Sequence, residues 1–121
     1  MKDAINWFEL PVLDLERAQK FYETVLATKL KTEIFGGLPN ALFPAGEGVG
    51  GALVKDPRRA PHASGALVYL NANGKLDACL GRVEAAGGKV LLPKTSIGDP
   101  GDIALVLDTE GNQIGLHATR A

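Results

Sequence analysis

The hydrophobic pattern of the chain begins with an alternating segment and continues with a segment of helical spacing. Between residues 5 and 12, three hydrophobic side chains fall on one side of an extended chain, namely Phe8, Leu10 and Val12. This period of two predicts a strand with one buried side. From Leu15 to Leu26, hydrophobic residues recur at helical spacing, which predicts a helix with one buried face. Asp14 stands at its N-cap position, where a carboxylate accepts hydrogen bonds from the free amides of the first turn.

Three short hydrophobic runs follow this helix and complete the first half of the chain. They span residues 30–35, 41–44 and 49–54, and glycine-containing turns separate them. Residues 55–64 then contain two prolines and two arginines without any periodicity. Such a composition is typical of a linker.

The second half repeats the order of the first. Residues 66–72 alternate as a strand, and residues 76–86 carry hydrophobic side chains at helical spacing. Gly87 and Gly88 end this helix, because glycine accepts the left-handed conformation that follows a helix without a Cβ clash. Residues 108–112 form a turn that predicts a hairpin between the last two strands. The three strands after the helix are predicted at residues 90–92, 103–107 and 113–118.

This internal repeat predicts an α+β fold made of two βαβββ modules in a single domain. Module one covers about residues 1–54, the linker residues 55–64, and module two about residues 65–121. In each module one helix covers one face of a four-stranded sheet and leaves the other face open. We expect the two open faces to curve toward each other as a cupped eight-stranded mixed sheet with the helices on the outside. Such a cup is suited to hold a ligand.

Composition and charge exclude several functional classes. With 13 basic and 14 acidic residues, the net charge of -1 lacks the positive excess that nucleic-acid binding needs. The one basic doublet, Arg58-Arg59, is expected to be a solvated part of the linker. No hydrophobic run is long enough for a membrane helix, and residues 1–4 do not resemble an export signal. The single cysteine, Cys79, excludes an intramolecular disulfide and suits the reducing cytoplasm.

Three motifs, in this order along the chain, resemble those of a known superfamily. The first opens the first helix at residues 14–22, and the others lie at residues 76–88 and 108–112. They are similar to the signatures of the glyoxalase, bleomycin-resistance and extradiol-dioxygenase proteins, the vicinal oxygen chelate superfamily. The resemblance covers nearly the whole chain and supports the fold. It leaves the function open, since the superfamily includes isomerases, dioxygenases, epimerases and antibiotic-sequestering proteins. It also implies a homodimer.

The resemblance further implies a divalent metal ion in the cup, held by His or Glu on the first and last strands of each module. That ion acts as a Lewis acid toward substrate oxygens. Carried over to this chain, the ligand positions fall on Trp7 and Leu67 in the first strands and on Gly50 and Gly115 in the last strands. None of these side chains ligates such a cation. We therefore expect no metal and no other cofactor.

Alternation along the strands predicts which side chains face the cup. They combine aromatic, acidic, amide and imidazole groups on an otherwise hydrophobic wall, which suits a small organic ligand: Trp7, Glu9, Tyr69, Asn71 and His117. Glu9 is the candidate catalytic residue, because a carboxylate in an enclosed cup suits general acid or base work. Its alternative is a hydrated or ion-paired position at the rim. His117 can bind an anion or move a proton, and the two aromatic rings can stack on a planar ligand or fill the core.

Three functions remain open at this level. The first is a metal-free protein that binds a small molecule, with or without activity through Glu9. The second is a metal-dependent lyase or dioxygenase whose ligands come from other positions, such as Glu9 and His117. The third is a protein that sequesters a drug without altering it. In each of them residues 97–101, which contain two glycines, are a candidate mobile loop over the mouth of the cup.

Overall fold

The computed structural model describes residues 5–119 and contains two βαβββ modules, as the repeat predicts. In module one, β1 (Trp7–Pro11) precedes α1 (Leu15–Leu26), which is followed by β2 (Lys31–Phe35), β3 (Leu38–Leu42) and β4 (Gly50–Val54). In module two, β5 (Tyr69–Asn71) precedes α2 (Leu76–Val83), which is followed by β6 (Lys89–Ser96), β7 (Asp102–Leu107) and β8 (Gln113–Ala118). The predicted α+β fold is therefore confirmed. No helix within residues 5–119 has the length and hydrophobicity that crossing a membrane requires.

The eight strands are divided between two mixed sheets of four strands each. Their orders are β1-β4-β3-β2 and β5-β8-β7-β6, so the same topology occurs twice. In each sheet the first strand of the module runs parallel to the last, and the other pairs are antiparallel. The parallel pairs set the register, which places Trp7 beside Gly50 and Tyr69 beside Gly115. Val12 N donates to Val54 O as Ala72 N donates to His117 O, so Pro11 corresponds to Asn71 and Trp7 to Leu67.

Strand boundaries differ from the sequence prediction mainly at β5, β6 and β3, which covers Leu38–Leu42 where residues 41–44 were predicted. β5 has three residues where seven were predicted, because regular pairing with β8 begins only at Tyr69. β6 continues past Pro93 to Ser96, whereas the predicted strand covers residues 90–92. β6 is an edge strand, where a missing N–H breaks no ladder bond, and its register with β7 shifts around Pro93.

Local hydrogen bonds begin α1, and the residues that follow each helix end it. Asp14 caps α1 as predicted: its side chain accepts from the backbone N–H of Arg17 at 3.1 Å. Ala27 then ends α1 in the left-handed conformation, with φ at 52°. α2 is shorter than predicted and is followed by a turn in which Gly88 N donates to Val83 O at 2.9 Å.

A single hydrophobic cluster joins the helix-facing sides of both sheets. It includes the buried face of α1, that of α2 and the inner residues of β7 and β8. Leu10 and Leu70 are buried in it, which confirms that even-numbered residues of β1 and β5 pack under the helices. Cys79 is also completely buried there, as an inert thiol would be. The odd-numbered residues of both strands are left on the opposite faces.

The buried carboxylate of Glu110 links the two modules. It accepts from the backbone N–H groups of Leu13 and Asp14, both at 2.8 Å, and from Nε of Arg17 at 2.7 Å. Burial alone would raise the pKa of Glu110, but the Arg17 side chain and these backbone N–H groups lower it from 4.5 to about 2. The ionised carboxylate therefore fixes the start of α1 against the turn between β7 and β8.

Asp108 makes a second link from the same turn. Its side chain accepts from the hydroxyl of Tyr22 at 2.6 Å and from the backbone N–H groups of Glu110 and Asn112, both at 2.8 Å. Burial and the charge of Asp108 raise the pKa of Tyr22 well above its ordinary value. Asn112 Nδ2 donates to Pro11 O at 2.8 Å. The motif at residues 108–112 thus holds the modules together.

Replacing Glu110 with glutamine tests this link. We expect Glu110→Gln to lower the free energy of unfolding by about 2 kcal/mol, since an amide cannot accept all the bonds that the buried carboxylate accepts. Chemical denaturation measures the loss. Glu47→Gln, at an exposed turn position, is the control and should unfold like the parent protein. Equal stability of both variants would contradict the role of Glu110.

Acid should weaken the same link. Because the pKa of Glu110 is about 2 in the folded protein and 4.5 ordinarily, its contribution is present above pH 4.5 and is lost as the pH falls toward 2. Allowing for solvent screening at Arg17, which is 49% exposed, the loss is about 2 kcal/mol. Denaturation between these pH values measures it. Glu110→Gln should lose less stability over this range. Protonation of Asp56, whose pKa is also lowered, makes a smaller pH-dependent contribution to the stability of both proteins.

Candidate functional site

Trp7 and Glu9 lie together on the open face of the first sheet. The Trp7 side chain stands over Gly50 and is 48% exposed. Its indole Nε1 donates to Oε2 of Glu9 at 3.3 Å. β1 carries both residues on the side opposite α1, as alternation predicts.

Arg59 reaches from the linker to Glu9. Its Nη2 donates to Oε1 of Glu9 at 2.9 Å, and its Nε lies 3.5 Å from Oδ2 of Asp56. The expectation that the Arg58-Arg59 doublet is merely solvated is therefore wrong for Arg59. The reason is topological: β4 runs beside β1, so the chain that leaves β4 passes close to the residues of β1.

Asp56 organises this part of the linker. Its carboxylate is buried and accepts from the backbone N–H, Nε and Nη2 of Arg58 at 2.9, 3.1 and 3.1 Å. The Arg58 side chain, together with its backbone N–H, lowers the pKa of Asp56 from 3.8 to about 2. Asp56 therefore stays ionised at neutral pH and orients both arginines.

The other predicted residues lie on the second sheet. Tyr69 is 43% exposed and stands over Gly115, as Trp7 stands over Gly50. Asn71 pairs with His117, and its Oδ1 accepts from the backbone N–H of Asn73 at 2.9 Å. The structure thus brings Trp7 and Glu9 together on one sheet, and the other three predicted residues together on the other. Within residues 5–119, no hydrogen bond joins these two groups.

His117 holds the candidate mobile loop. Its Nε2 lies 2.6 Å from the carbonyl oxygen of Pro100. The loop closes on itself, because Ile97 N donates to Gly101 O at 2.9 Å and Gly101 N donates to Gly98 O at 3.0 Å. Residues 97–101 therefore lie beside the open face of the second sheet. Motion of this loop stays a prediction.

A hydrophobic cavity of about 660 Å³ runs along β5. Tyr69 and Asn71 line it, whereas Trp7, Glu9 and His117 are not among its lining residues. At one side Lys75 donates from Nζ to Leu26 O at 2.7 Å. The remaining wall is mostly hydrophobic and comes from both modules; it includes Ile5, Phe8, Phe43, Val49, Leu67 and Val68.

Comparison with known proteins agrees with this architecture. The profile of the Glyoxalase/Bleomycin resistance protein/Dioxygenase superfamily matches residues 4–116. The chain belongs to this superfamily. It is 30% identical over 124 residues to the protein named "Putative glyoxylase CFP32" of Mycobacterium bovis and of Mycobacterium tuberculosis, covering 92% of this chain. The chain spans only 44% of the length of these relatives.

Solved structures show the same superfamily fold. A glyoxalase/bleomycin resistance protein from Albidiferax ferrireducens superimposes with a TM-score of 0.78 at 20% identity, covering 98% of this chain and all of the other. A glyoxalase I mutant from Zea mays gives a TM-score of 0.70 at 24% identity, covering 93% of this chain and 44% of the other. At these identities the likeness concerns the fold alone.

The superfamily's metal positions do not fit a metal in this chain. The register keeps Leu67 as the equivalent of Trp7, since Pro11 beside Val54 corresponds to Asn71 beside His117. The four positions therefore carry Trp7, Leu67 and two glycines, Gly50 and Gly115. None of these side chains offers a ligand atom to a divalent ion. In the described part of the chain, no group of three His, Cys, Asp or Glu residues is placed to hold one.

The contacts of the two aromatic rings predict different effects of alanine at the two glycines. A Cβ at Gly115 would overlap with the ring of Tyr69, whereas a Cβ at Gly50 would lie 3.3 Å from Cβ of Ala45 and 3.5 Å from Cζ3 of Trp7. We expect Gly115→Ala to destabilise the protein by about 1–3 kcal/mol and to displace Tyr69. Gly50→Ala should change stability by less than about 1 kcal/mol. Thermal unfolding and NMR signals of the tyrosine ring measure both, and equal effects would contradict the described packing.

Proposed function

We propose that this superfamily member binds a small organic molecule on the open faces of its sheets, without a metal ion. One observation carries the proposal: the positions of the superfamily's metal ligands hold Trp7, Leu67, Gly50 and Gly115, none of which offers a ligand atom to a metal ion. Trp7 over Gly50 and Tyr69 over Gly115 offer flat hydrophobic surfaces to a ligand instead. Aromatic rings of this kind favour a planar ligand.

The cavity along β5 is a second candidate position for a small molecule, bordered by Leu26, Phe8 and Leu70 of the helix-facing side as well as by Tyr69. Its volume of about 660 Å³ falls in the range of small-molecule pockets, roughly 300–1,000 Å³. Its wall combines hydrophobic side chains with a few polar groups, Asn71 and Lys75 among them. A molecule lying in this cavity would contact Tyr69, Asn71 and Lys75.

Within this proposal, Glu9 exchanges a proton with the ligand where a reaction occurs. Trp7 Nε1 and Arg59 Nη2 both donate to its carboxylate and hold it in one orientation. The name of the mycobacterial relatives, a glyoxylase, and that of the maize neighbour, glyoxalase I, agree with chemistry on small carbonyl compounds. His117 takes no part in proton transfer in this proposal, since its Nε2 is engaged by Pro100.

We also propose that the protein is a cytoplasmic homodimer. β1 and β5 are edge strands, and Trp7 and Tyr69 beside them are exposed. A second copy would cover these edges, as pairing does in other members of the superfamily. The single buried cysteine suits a reducing compartment. Light scattering during size-exclusion chromatography measures the assembly, and a monomer at all concentrations would contradict the dimer.

Metal analysis and a ligand screen test the main proposal. Protein purified without chelator should contain far less than one equivalent of nickel, zinc, manganese or iron per chain. In a thermal-shift screen, small aromatic compounds should raise the unfolding temperature, because a ligand that prefers the folded state stabilises it. One equivalent of tightly held metal would instead support the metal-dependent lyase or dioxygenase.

Glu9→Gln separates binding from chemistry once the screen has supplied a compound. We expect turnover of that compound to fall at least about a hundredfold in this variant, the usual scale of general acid or base catalysis. Product formation by chromatography is the measurement, with Glu16→Gln, exposed on α1, as the control. Unchanged turnover would remove Glu9 from the site. A compound that the parent protein binds and returns unaltered would support sequestration.

A further inference from the structure

The guanidinium of Arg59 is held at the open face of the first sheet, beside Trp7. The backbone N–H of Arg59 donates to Asp56 O at 3.0 Å, and its Nε faces the buried carboxylate of the same residue at 3.5 Å. Its Nη2 donates to Glu9 at 2.9 Å. The side chain is therefore held at two points, and the backbone that carries it at a third.

Part of this guanidinium is still free to bind. Arginine carries five N–H donors, and the contacts made within residues 5–119 engage Nε and Nη2. The side chain is 44% exposed, so water and small solutes reach its remaining donors. A fixed, planar and partly exposed guanidinium is the group that proteins use to bind carboxylates in a defined orientation.

We propose that Arg59 anchors an acidic group of the ligand, so that this site selects small planar carboxylates. The inference rests on the proposed function and names its ligand class. Arg59 and Trp7 both bond to the carboxylate of Glu9, which places them within one side chain of each other. An aromatic acid can therefore stack on the indole while its carboxylate meets the guanidinium.

The charges around Arg59 determine how strongly the site prefers an anionic ligand. Arg58 is already paired with Asp56 through two side-chain bonds, which leaves Arg59 as the cation nearest to Glu9. A bound carboxylate then shares the guanidinium of Arg59 with Glu9, and the negative charge of Glu9 repels the bound carboxylate. Removing the charge of Glu9 should strengthen the binding of an anion, whereas a purely structural ion pair would give no such gain.

Three compounds of the same shape and different charge test the inference: benzoate, benzamide and benzamidine. Trp7 is the only tryptophan of the chain, so its fluorescence reports binding at this face directly. We expect benzoate to bind the parent protein about tenfold more tightly than benzamide, and benzamidine to bind most weakly. The preference for benzoate should decrease as salt concentration rises.

Arg59→Gln and Arg58→Gln form a matched pair of variants. Both remove one positive charge beside Asp56, but only Arg59 contacts Glu9. Arg59→Gln should bind benzoate and benzamide equally, whereas Arg58→Gln should keep most of the tenfold preference. Arg59→Lys keeps the charge, and should retain a reduced preference even if the glutamine variant is poorly folded. Glu9→Gln should bind benzoate a few times more tightly than the parent protein. Circular dichroism and thermal unfolding establish that each variant is folded.

The outcomes separate this inference from the proposed function. Equal affinity for all three compounds, or an unchanged preference in Arg59→Gln, would overturn the role of Arg59 while leaving a metal-free ligand site in place. Tightest binding of benzamidine would also overturn it, because Glu9 would then dominate the site. If none of the three compounds changes the fluorescence of Trp7 at millimolar concentration, both this inference and ligand binding at the first sheet fail.

Discussion

The ionised carboxylate of Glu110 determines how the two modules are joined. A charge without solvent contact is stable only when its hydrogen-bonding capacity is filled, and here residues at the start of α1 fill it. The turn between β7 and β8 therefore stays against module one, and Asp108 reinforces the contact through Tyr22. The hydrophobic cluster lies on the helix side of both sheets, whereas Trp7 and Tyr69 on the opposite faces stay about half exposed.

This arrangement decides which residues are available to a ligand. In β1 and β5 the even-numbered side chains enter the shared core, so the odd-numbered ones are presented outward. Each strand presents an aromatic ring toward the glycine of its parallel neighbour, Gly50 or Gly115. At Gly115 the absent Cβ leaves room for the ring of Tyr69 to lie against the backbone, whereas a Cβ at Gly50 would make only ordinary contact with Trp7. The scaffold of the superfamily is thus preserved while the chemistry of its central positions is replaced.

The fold could be predicted because it depends on patterns that are local in sequence. Alternation, helical spacing and the cap at Asp14 were enough to give the element order, and they were confirmed. Errors arose where a distant partner decides the outcome. Pro93 is tolerated because β6 is an edge strand, and β5 is shorter than predicted because regular pairing with β8 begins only at Tyr69. Arg59 was missed because its partner, Glu9, lies fifty residues away. The sequence did contain one indication that the arginines are held in place: Asp56 lies two and three residues before them.

A site without a metal must stabilise negative charge by other means. In the superfamily a divalent ion does this as a Lewis acid, whereas the open face of the first sheet offers N–H donors from an indole and a guanidinium. These donors stabilise a negative charge less strongly than a divalent cation does. The guanidinium need not change its orientation to do so, because the carboxylates of Glu9 and Asp56 already hold it. Their effect depends on excluding water. The half exposure of Trp7 and Arg59 therefore argues that the site becomes most effective when a ligand or a second copy of the chain covers this face.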